Sequence, residues 1–330
     1  MPIEKSGEHC EKRSEITISR KTRQSSIRID SSAFGHPVIR HNIILYAGIK
    51  NIYFETSVFK DPAPLLNAHI SFPLKAENPR FSYESNLSII DPVKDYLPGA
   101  YSDLISVQNW VRIQDGAYYI LWNSLDAPTA GLCRLWPGYV SPAHRYIIDE
   151  SCRHDPQTEE DYRQNGWIFS QLFYNNFGTN FAVSQTGLAV FRYCLTSGEG
   201  ILSDDGAVRW GLQTAMPQAV SFTGKINENG RFLPRGQFIS SDNPQVAVLN
   251  IKAAEDGAGY IARLWNASDM EQAVELRFPR LAISAASLAN MTEFGLRGGS
   301  LEINKGAVGL KVGARQIMNV RLCFGGKWGN

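Results

Sequence analysis

The chain has no apolar run approaching the ~20 residues that a membrane-spanning helix requires. It also lacks the apolar segment behind a basic start that would make a secretory signal. Its first thirty residues instead mix seven Lys or Arg with five Asp or Glu. Net charge is nearly absent: 33 basic and 32 acidic residues leave +1, so no global field recruits nucleic acid or an anionic membrane. Cysteine is sparse and odd in number, at Cys10, Cys133, Cys152, Cys194 and Cys323. No two stand at CxxC spacing, which favours reduced thiols in a cytoplasmic protein over a disulfide framework. P-loop, HExxH, GxSxG and His-x-Asp patterns are all missing. Long amphipathic helical patterns are nearly absent too.

What the chain does have is aromatic and aliphatic bulk. Hydrophobic residues make up 43% of its 330 positions and aromatics 11%, ample for one large β-domain or two domains. From Val38 onward the dominant period is two. Ile52, Phe54, Thr56 and Val58 alternate with polar or smaller partners, as do Ala68, Ile70 and Phe72, then Val107, Asn109, Val111 and Ile113. Near the end Met318, Val320, Leu322 and Phe324 share one face. Such short runs predict half-buried strands. Asp115-Gly116, Asp205-Gly206, Asn229-Gly230 and Asp256-Gly257 predict hairpins, because Gly accepts the positive φ of tight turns. The stretch 153–165 is polar and acidic and suits one short helix or an ordered loop. The fold class is all-β, built of antiparallel sheets.

Residues 1–32 read as a polar tail or edge strand, with faint alternation at Ile16-Thr17-Ile18 and Ile27-Arg28-Ile29. A large β-domain over 33–233 follows. A break near Pro234–Pro244 separates it from a small sandwich over 245–330, with six or seven short strands expected.

The densest chemistry lies in Tyr174-Asn175-Asn176-Phe177-Gly178-Thr179-Asn180-Phe181, followed by Gln185-Thr186-Gly187 and Phe191-Arg192-Tyr193. Amides beside aromatic faces are what sugar recognition needs, since hydroxyls want directional partners and pyranose C–H faces want flat apolar surface. The same residues would also serve a hairpin corner, with Asn and Gly in the turn and the aromatics in the core. Trp136-Pro137-Gly138-Tyr139 reads as a loop from which Trp136 either stacks on a sugar or packs.

Other candidates are weaker. His144, Cys152 and His154, with Asp155 beside them, are the closest approach to a zinc set, yet a solvated loop has the same composition. Glycoside hydrolysis wants two carboxylates about 5–10 Å apart. Asp91, Asp95, Asp103, Asp126 and the cluster Asp149, Glu150, Asp155, Glu159, Glu160 and Asp161 single out no pair. Asp91-Pro92 and Asp126-Ala127-Pro128 read as turn initiators.

The order of the motifs carries a resemblance. Leu45-Tyr46-Ala47-Gly48-Ile49-Lys50-Asn51-Ile52-Tyr53-Phe54-Glu55, then Ile70-Ser71-Phe72-Pro73-Leu74, then Asp95-Tyr96-Leu97-Pro98-Gly99-Ala100 resemble segments of the family-38 glycoside hydrolases, the zinc-dependent α-mannosidases. Gln108-Asn109-Trp110-Val111 and Leu125-Asp126-Ala127-Pro128 follow in the family's order. Asn175-Asn176, Thr179-Asn180-Phe181, Gln185, Gly187 and Phe191-Arg192-Tyr193 look like the family's signature in its β-region. Ala262-Arg263-Leu264-Trp265-Asn266 and Glu293 resemble its C-terminal sandwich. The likeness runs over roughly residues 35–324.

It implies a galactose mutarotase-like super-sandwich, entered part-way through, followed by a small β-sandwich. It also implies that zinc and the catalytic Asp residues belong to an N-terminal domain without counterpart here. No catalytic residue and no cofactor is therefore assigned to this chain. Asn176, Thr179, Asn180 and Gln185, with Trp136, are the carbohydrate-binding candidates that the resemblance and the residue types imply. The expected role is the non-catalytic β-portion of an α-mannosidase, partnered by a separate catalytic polypeptide or by copies of itself. The alternative is a stand-alone carbohydrate-binding protein. A sugar epimerase on the mutarotase-like fold would need a His–Glu pair, for which His144 and Glu150 are the nearest residues.

Overall fold

Alternation of apolar and polar side chains governs the computed structural model, which describes residues 14–62, 67–100, 102–135, 157–174, 185–216 and 236–325. The chain divides into two units, Met1–Leu202 and Ser203–Asn330. The break expected near 234–244 falls inside the second. No helix among the described residues is long and apolar enough to cross a membrane.

The first unit opens with β1 (Glu15–Arg20), β2 (Gln24–Ala33), β3 (His36–Tyr46), β4 (Ile52–Lys60) and β5 (Asn67–Leu74). Next come β6 (Arg80–Ser85), β7 (Ser88–Ile90), β8 (Ile105–Ser106), β9 (Val111–Asp115), β10 (Tyr118–Ser124) and β11 (Thr129–Leu132). Helix α1 (Glu159–Tyr162), β12 (Gly166–Tyr174) and β13 (Gly187–Glu199) complete it. Nine strands form one antiparallel sheet in the order β1-β2-β3-β4-β13-β10-β9-β6-β7, and four form a second, β5-β12-β11-β8.

Register shows why this core forms. Phe54 stands opposite Tyr193, Leu195 opposite Trp122, and Trp122 opposite Val111, so their side chains share one face. That face meets Phe72, Ile168, Ala130 and Leu132 from the smaller sheet in a single apolar cluster. The Phe72 ring lies 5.6 Å from both Phe54 and Trp122 and 5.0 Å from Tyr193. The buried Tyr193 hydroxyl is satisfied by Ser170 Oγ at 3.0 Å, since an unpaired hydroxyl here would cost stability. At the Asp115-Gly116 hairpin, Gly116 takes φ +54°, and the Asp115 carboxylate accepts from Glu77 N at 2.7 Å and Tyr118 Oη at 2.9 Å.

The faint alternation near the N-terminus is a real pairing. Ile16 stands opposite Ile29 and Ile18 opposite Ile27. The acidic stretch around 153–165 holds α1, a single turn closed by a Thr158–Asp161 capping box.

The second unit begins with helix α2 (Asp204–Ala215). Nine strands follow: β14 (Ser240–Ser241), β15 (Val246–Ala253), β16 (Tyr260–Asn266), β17 (Gln272–Arg277), β18 (Ile283–Ala289), β19 (Gly295–Ser300), β20 (Ile303–Asn304), β21 (Ala307–Val312) and β22 (Ile317–Phe324). They make a small antiparallel sandwich, with β14-β17-β21-β20 against β15-β16-β22-β18-β19. Ala262, Leu264, Val320 and Leu322 of one sheet pack with Val274, Leu276, Val308 and Val312 of the other. The strand count exceeds the expected six or seven partly because β14 and β20 are two residues each, too short to show a period.

One turn prediction fails. Asp205-Gly206 is in the first turn of α2 and makes no hairpin. Ser203 adopts N-cap geometry, Asp204 and Asp205 sit where the helix dipole favours negative charge, and Ala207, Val208 and Gly211 supply a buried face. Asn229-Gly230 lies outside the described residues.

Candidate functional site

Two crossings between the sheets of the first unit meet at one end of its sandwich. Tyr174 pairs with Asn67 and Gly187 with Lys60, so the connections 61–66 and 175–186 both leave from that end. Loops gathered at one end of a rigid sandwich are a usual place for binding residues. Gln185 is exposed there, two residues before β13. Asn176, Thr179, Asn180 and Trp136 lie outside the described residues, as do His144, Glu150, Cys152, His154 and Asp155.

Two polar side chains near this end of the sandwich are buried. His36 is buried, its Nδ1 2.9 Å from the Phe34 carbonyl and its ring 5.8 Å from that of Phe173. Lys60 is buried as well, and its ammonium donates to the Asp61 carbonyl at 3.0 Å. Neither side chain faces solvent, so both are packing groups of this end.

Four of the candidate carboxylates are occupied structurally. Asp91 caps its own turn, accepting from Val93 N at 3.0 Å, and Asp95 accepts from Asp91 N at 2.7 Å. Asp126 accepts from the Arg192 backbone at 2.8 Å and from its guanidinium at 2.8 and 3.0 Å, and that cation holds its carboxyl below the usual range. Asp103 is buried beside Arg134, 3.8 Å away. Trp110 and Trp122 are fully buried, so both are packing residues.

A buried polar group went unread in the sequence. Glu84, on β6, has no exposed surface. Its Oε1 accepts from Asn109 Nδ2 at 2.8 Å, and Asn123 Nδ2 donates to the Asn109 carbonyl. Burial pushes the Glu84 carboxyl up to about 7, with the Asn109 amide and Trp110 indole drawing it back. A carboxyl poised there can hold or release a proton near neutrality, but this one is sealed among the chain's own side chains.

Histidine chemistry is similarly muted. His41 Nδ1 lies 2.9 Å from Thr56 Oγ1, and burial lowers its pKa. Burial also brings His69 down to about 4, so it is neutral at physiological pH. Among the described residues no three His, Cys, Asp or Glu side chains gather where they could hold a metal ion. These residues do not fit a zinc site. Cys133, Cys194 and Cys323 are free thiols.

In the second unit a cavity of about 200 Å³ is lined by Ser203, Asp204, Asp205, Gln245, Ala267, Ser268 and Asp269. Asp269 is already paired with Arg315 at 2.7 Å. Below it Asn266 is fully buried and fully used. Its Nδ2 donates to the carbonyls of Met270, Val312 and Gly313 at 2.8, 3.0 and 2.8 Å, and its Oδ1 accepts from Ser268 N and Oγ. Glu293, with φ +72°, clamps Lys252 at 2.6 Å and Glu255 N at 2.9 Å. Both motif residues of this unit are therefore architectural.

Residues 245–319 match the family model described as the glycosyl hydrolases family 38 C-terminal beta sandwich domain. No curated protein matches the sequence. Among solved structures, an alpha-mannosidase from Enterococcus faecalis V583 aligns with a TM-score of 0.66 at 12% identity, over 93% of this chain and 35% of that one. A protein in the glycosyl hydrolase family 38 from Enterococcus faecalis aligns with a TM-score of 0.65 at 12% identity, over 93% of this chain and 36% of that one. A galactose 1-epimerase from Lactobacillus acidophilus NCFM aligns over 57% of this chain and 67% of that one, at 7% identity and a TM-score of 0.34. The chain thus spans about a third of the length of the two enterococcal structures. Residues 245–319 are similar to the C-terminal β-sandwich domain of glycosyl hydrolase family 38, and both enterococcal proteins share the fold over 93% of this chain.

Proposed function

We propose that this chain is the non-catalytic β-portion of a family-38-type α-mannosidase, supporting α-mannoside hydrolysis by a catalytic domain that lies outside these 330 residues. The observation behind this reading is the fold shared with the enterococcal alpha-mannosidase over 93% of this chain but only 35% of that one. The end of the sandwich bearing Gln185 would border the sugar, with Asn176, Thr179 and Asn180 in the neighbouring 175–184 connection and Trp136 as a stacking face. Zinc, which supplies Lewis-acid chemistry when bound, would be held by that catalytic domain.

The test is capture of the tagged chain from cells that make it, followed by assay of the captured material on an aryl α-mannoside. Hydrolysis abolished by a zinc chelator, and absent from a mock capture, supports the reading. Activity no higher than the mock overturns it. The exposed amide of Gln185 favours one second reading, a stand-alone carbohydrate binder. In that case the purified chain binds a methyl α-mannoside by calorimetry, and Asn180→Ala or Trp136→Ala weakens the binding.

A further inference from the structure

The two edges of the nine-stranded sheet differ. At one end β7 has only three residues and is turned back by a hairpin whose Asn86 and Leu87 take positive φ. So short an edge offers little for another strand to pair with. At the other end β1 has six residues, with neither proline nor a bulge in its pairing to β2. Its two isoleucines point to the face that elsewhere forms the core, yet Ile16 is 61% and Ile18 63% exposed. Ile18, Ile27, Ile43 and Phe54 stand directly opposite one another across four successive strands. An apolar row therefore runs from the core to a strand edge without a further strand partner among the described residues, where soluble proteins usually place a charge.

We propose that β1 pairs with β1 of a second copy of this chain, antiparallel about a two-fold axis through Ile18. Residues opposite one another in an antiparallel pair share a face, so the inward isoleucines of the two copies must meet on the same side. With Ile18 on the axis, Ile18 faces Ile18, Thr17 faces Ser19, Ile16 lies under the aliphatic stem of Arg20, and Glu15 faces Lys21. The strand is thus self-complementary in charge: two Glu–Lys pairs flank the axis and no like charges are opposed. The register with Ile16 opposite Ile18 sets Glu15 against Ser19 and leaves Lys21 without its acid. Charge therefore selects the first arrangement. A closed two-fold pairing also consumes the edge, so association stops at two. The apolar row then runs unbroken from one copy's core to the other's. This inference stands apart from the proposed function, since it uses only β1 and its neighbours.

Sedimentation of the purified full chain over a concentration series tests it. The expected result is a monomer–dimer equilibrium with no larger species. Ile18→Lys should abolish the dimer while leaving the circular dichroism and melting temperature of the monomer unchanged. Glu15→Lys should weaken association roughly tenfold through like-charge opposition, and Glu15→Lys with Lys21→Glu should restore it. A wild-type chain that stays monomeric, including one that meets only a different polypeptide, overturns the proposal. So does a dimer indifferent to Ile18→Lys, or open-ended association. Failure of the double charge reversal to rescue Glu15→Lys overturns the register.

Discussion

Replacing Glu84 with Gln should change how the stability of the first unit depends on pH. The folded state holds the Glu84 proton more tightly than the unfolded chain, because burial lifts its carboxyl from 4.5 to about 7. The stability this lends is fully present below pH 4.5 and is lost as the pH rises through 7. At about 1.4 kcal/mol per pH unit, that window is worth roughly 3 kcal/mol. The wild-type curve by itself would mislead, because His69 works in the opposite direction. Its pKa falls from 6.5 to about 4 on burial, so the stability of its neutral form is present above 6.5 and lost as the pH falls through 4. The two partly cancel between 4.5 and 6.5. Gln keeps an Oε1 for the Asn109 amide and removes the titration, so the difference between Glu84→Gln and wild type isolates the carboxyl. Hydrogen exchange against urea, read on peptides covering β6 and β9, reports this region directly. The variant should gain roughly 3 kcal/mol on wild type between pH 4.5 and 7.5. A difference that stays flat across that range would refute the buried, proton-holding Glu84.

Three further outcomes follow from the packing. Leu264→Ala, at a fully buried site of the second sandwich, should cost about 2–5 kcal/mol in denaturant unfolding, and a loss well below that would misplace the core. Asn266→Ala strips the donor from three carbonyls and should cost at least about 2 kcal/mol; a neutral result by calorimetric melting would show that water replaces the amide. Arg192→Ala removes a well-formed pair with Asp126 in which the Arg192 side chain is about half exposed. It should cost no more than about 1 kcal/mol, and a large drop in melting temperature would show that the pair anchors β13.

Much of this fold is legible because period two is a direct consequence of sheet geometry. Ile52, Phe54 and Val58 declare β4, and Met318, Val320 and Leu322 declare β22. Asp115-Gly116 and Asp256-Gly257 mark hairpins because only special backbone angles close them. The same dipeptide misleads at Asp205-Gly206, where acidic residues in a first helical turn look identical to a hairpin cue. Two-residue strands such as β8, β14 and β20 carry no period and are decided by tertiary pairing. Glu84 is hidden for a related reason. In Arg80-Phe81-Ser82-Tyr83-Glu84 the even positions read as a solvent face, and only the folded chain reveals that the last two of them, Ser82 and Glu84, are covered. Of the sugar-binding candidates, Gln185 is seen exposed beside β13, while Asn176, Thr179, Asn180 and Trp136 lie outside the described residues.

The central claim is that this chain supports hydrolysis without performing it. Its most direct test is turnover of a chromogenic aryl α-mannoside by the purified, demonstrably folded chain, with and without added zinc. The account predicts no release of the aryl group above the buffer rate under either condition. Zinc-dependent turnover would contradict it and direct attention to His144, Cys152 and His154 as ligands.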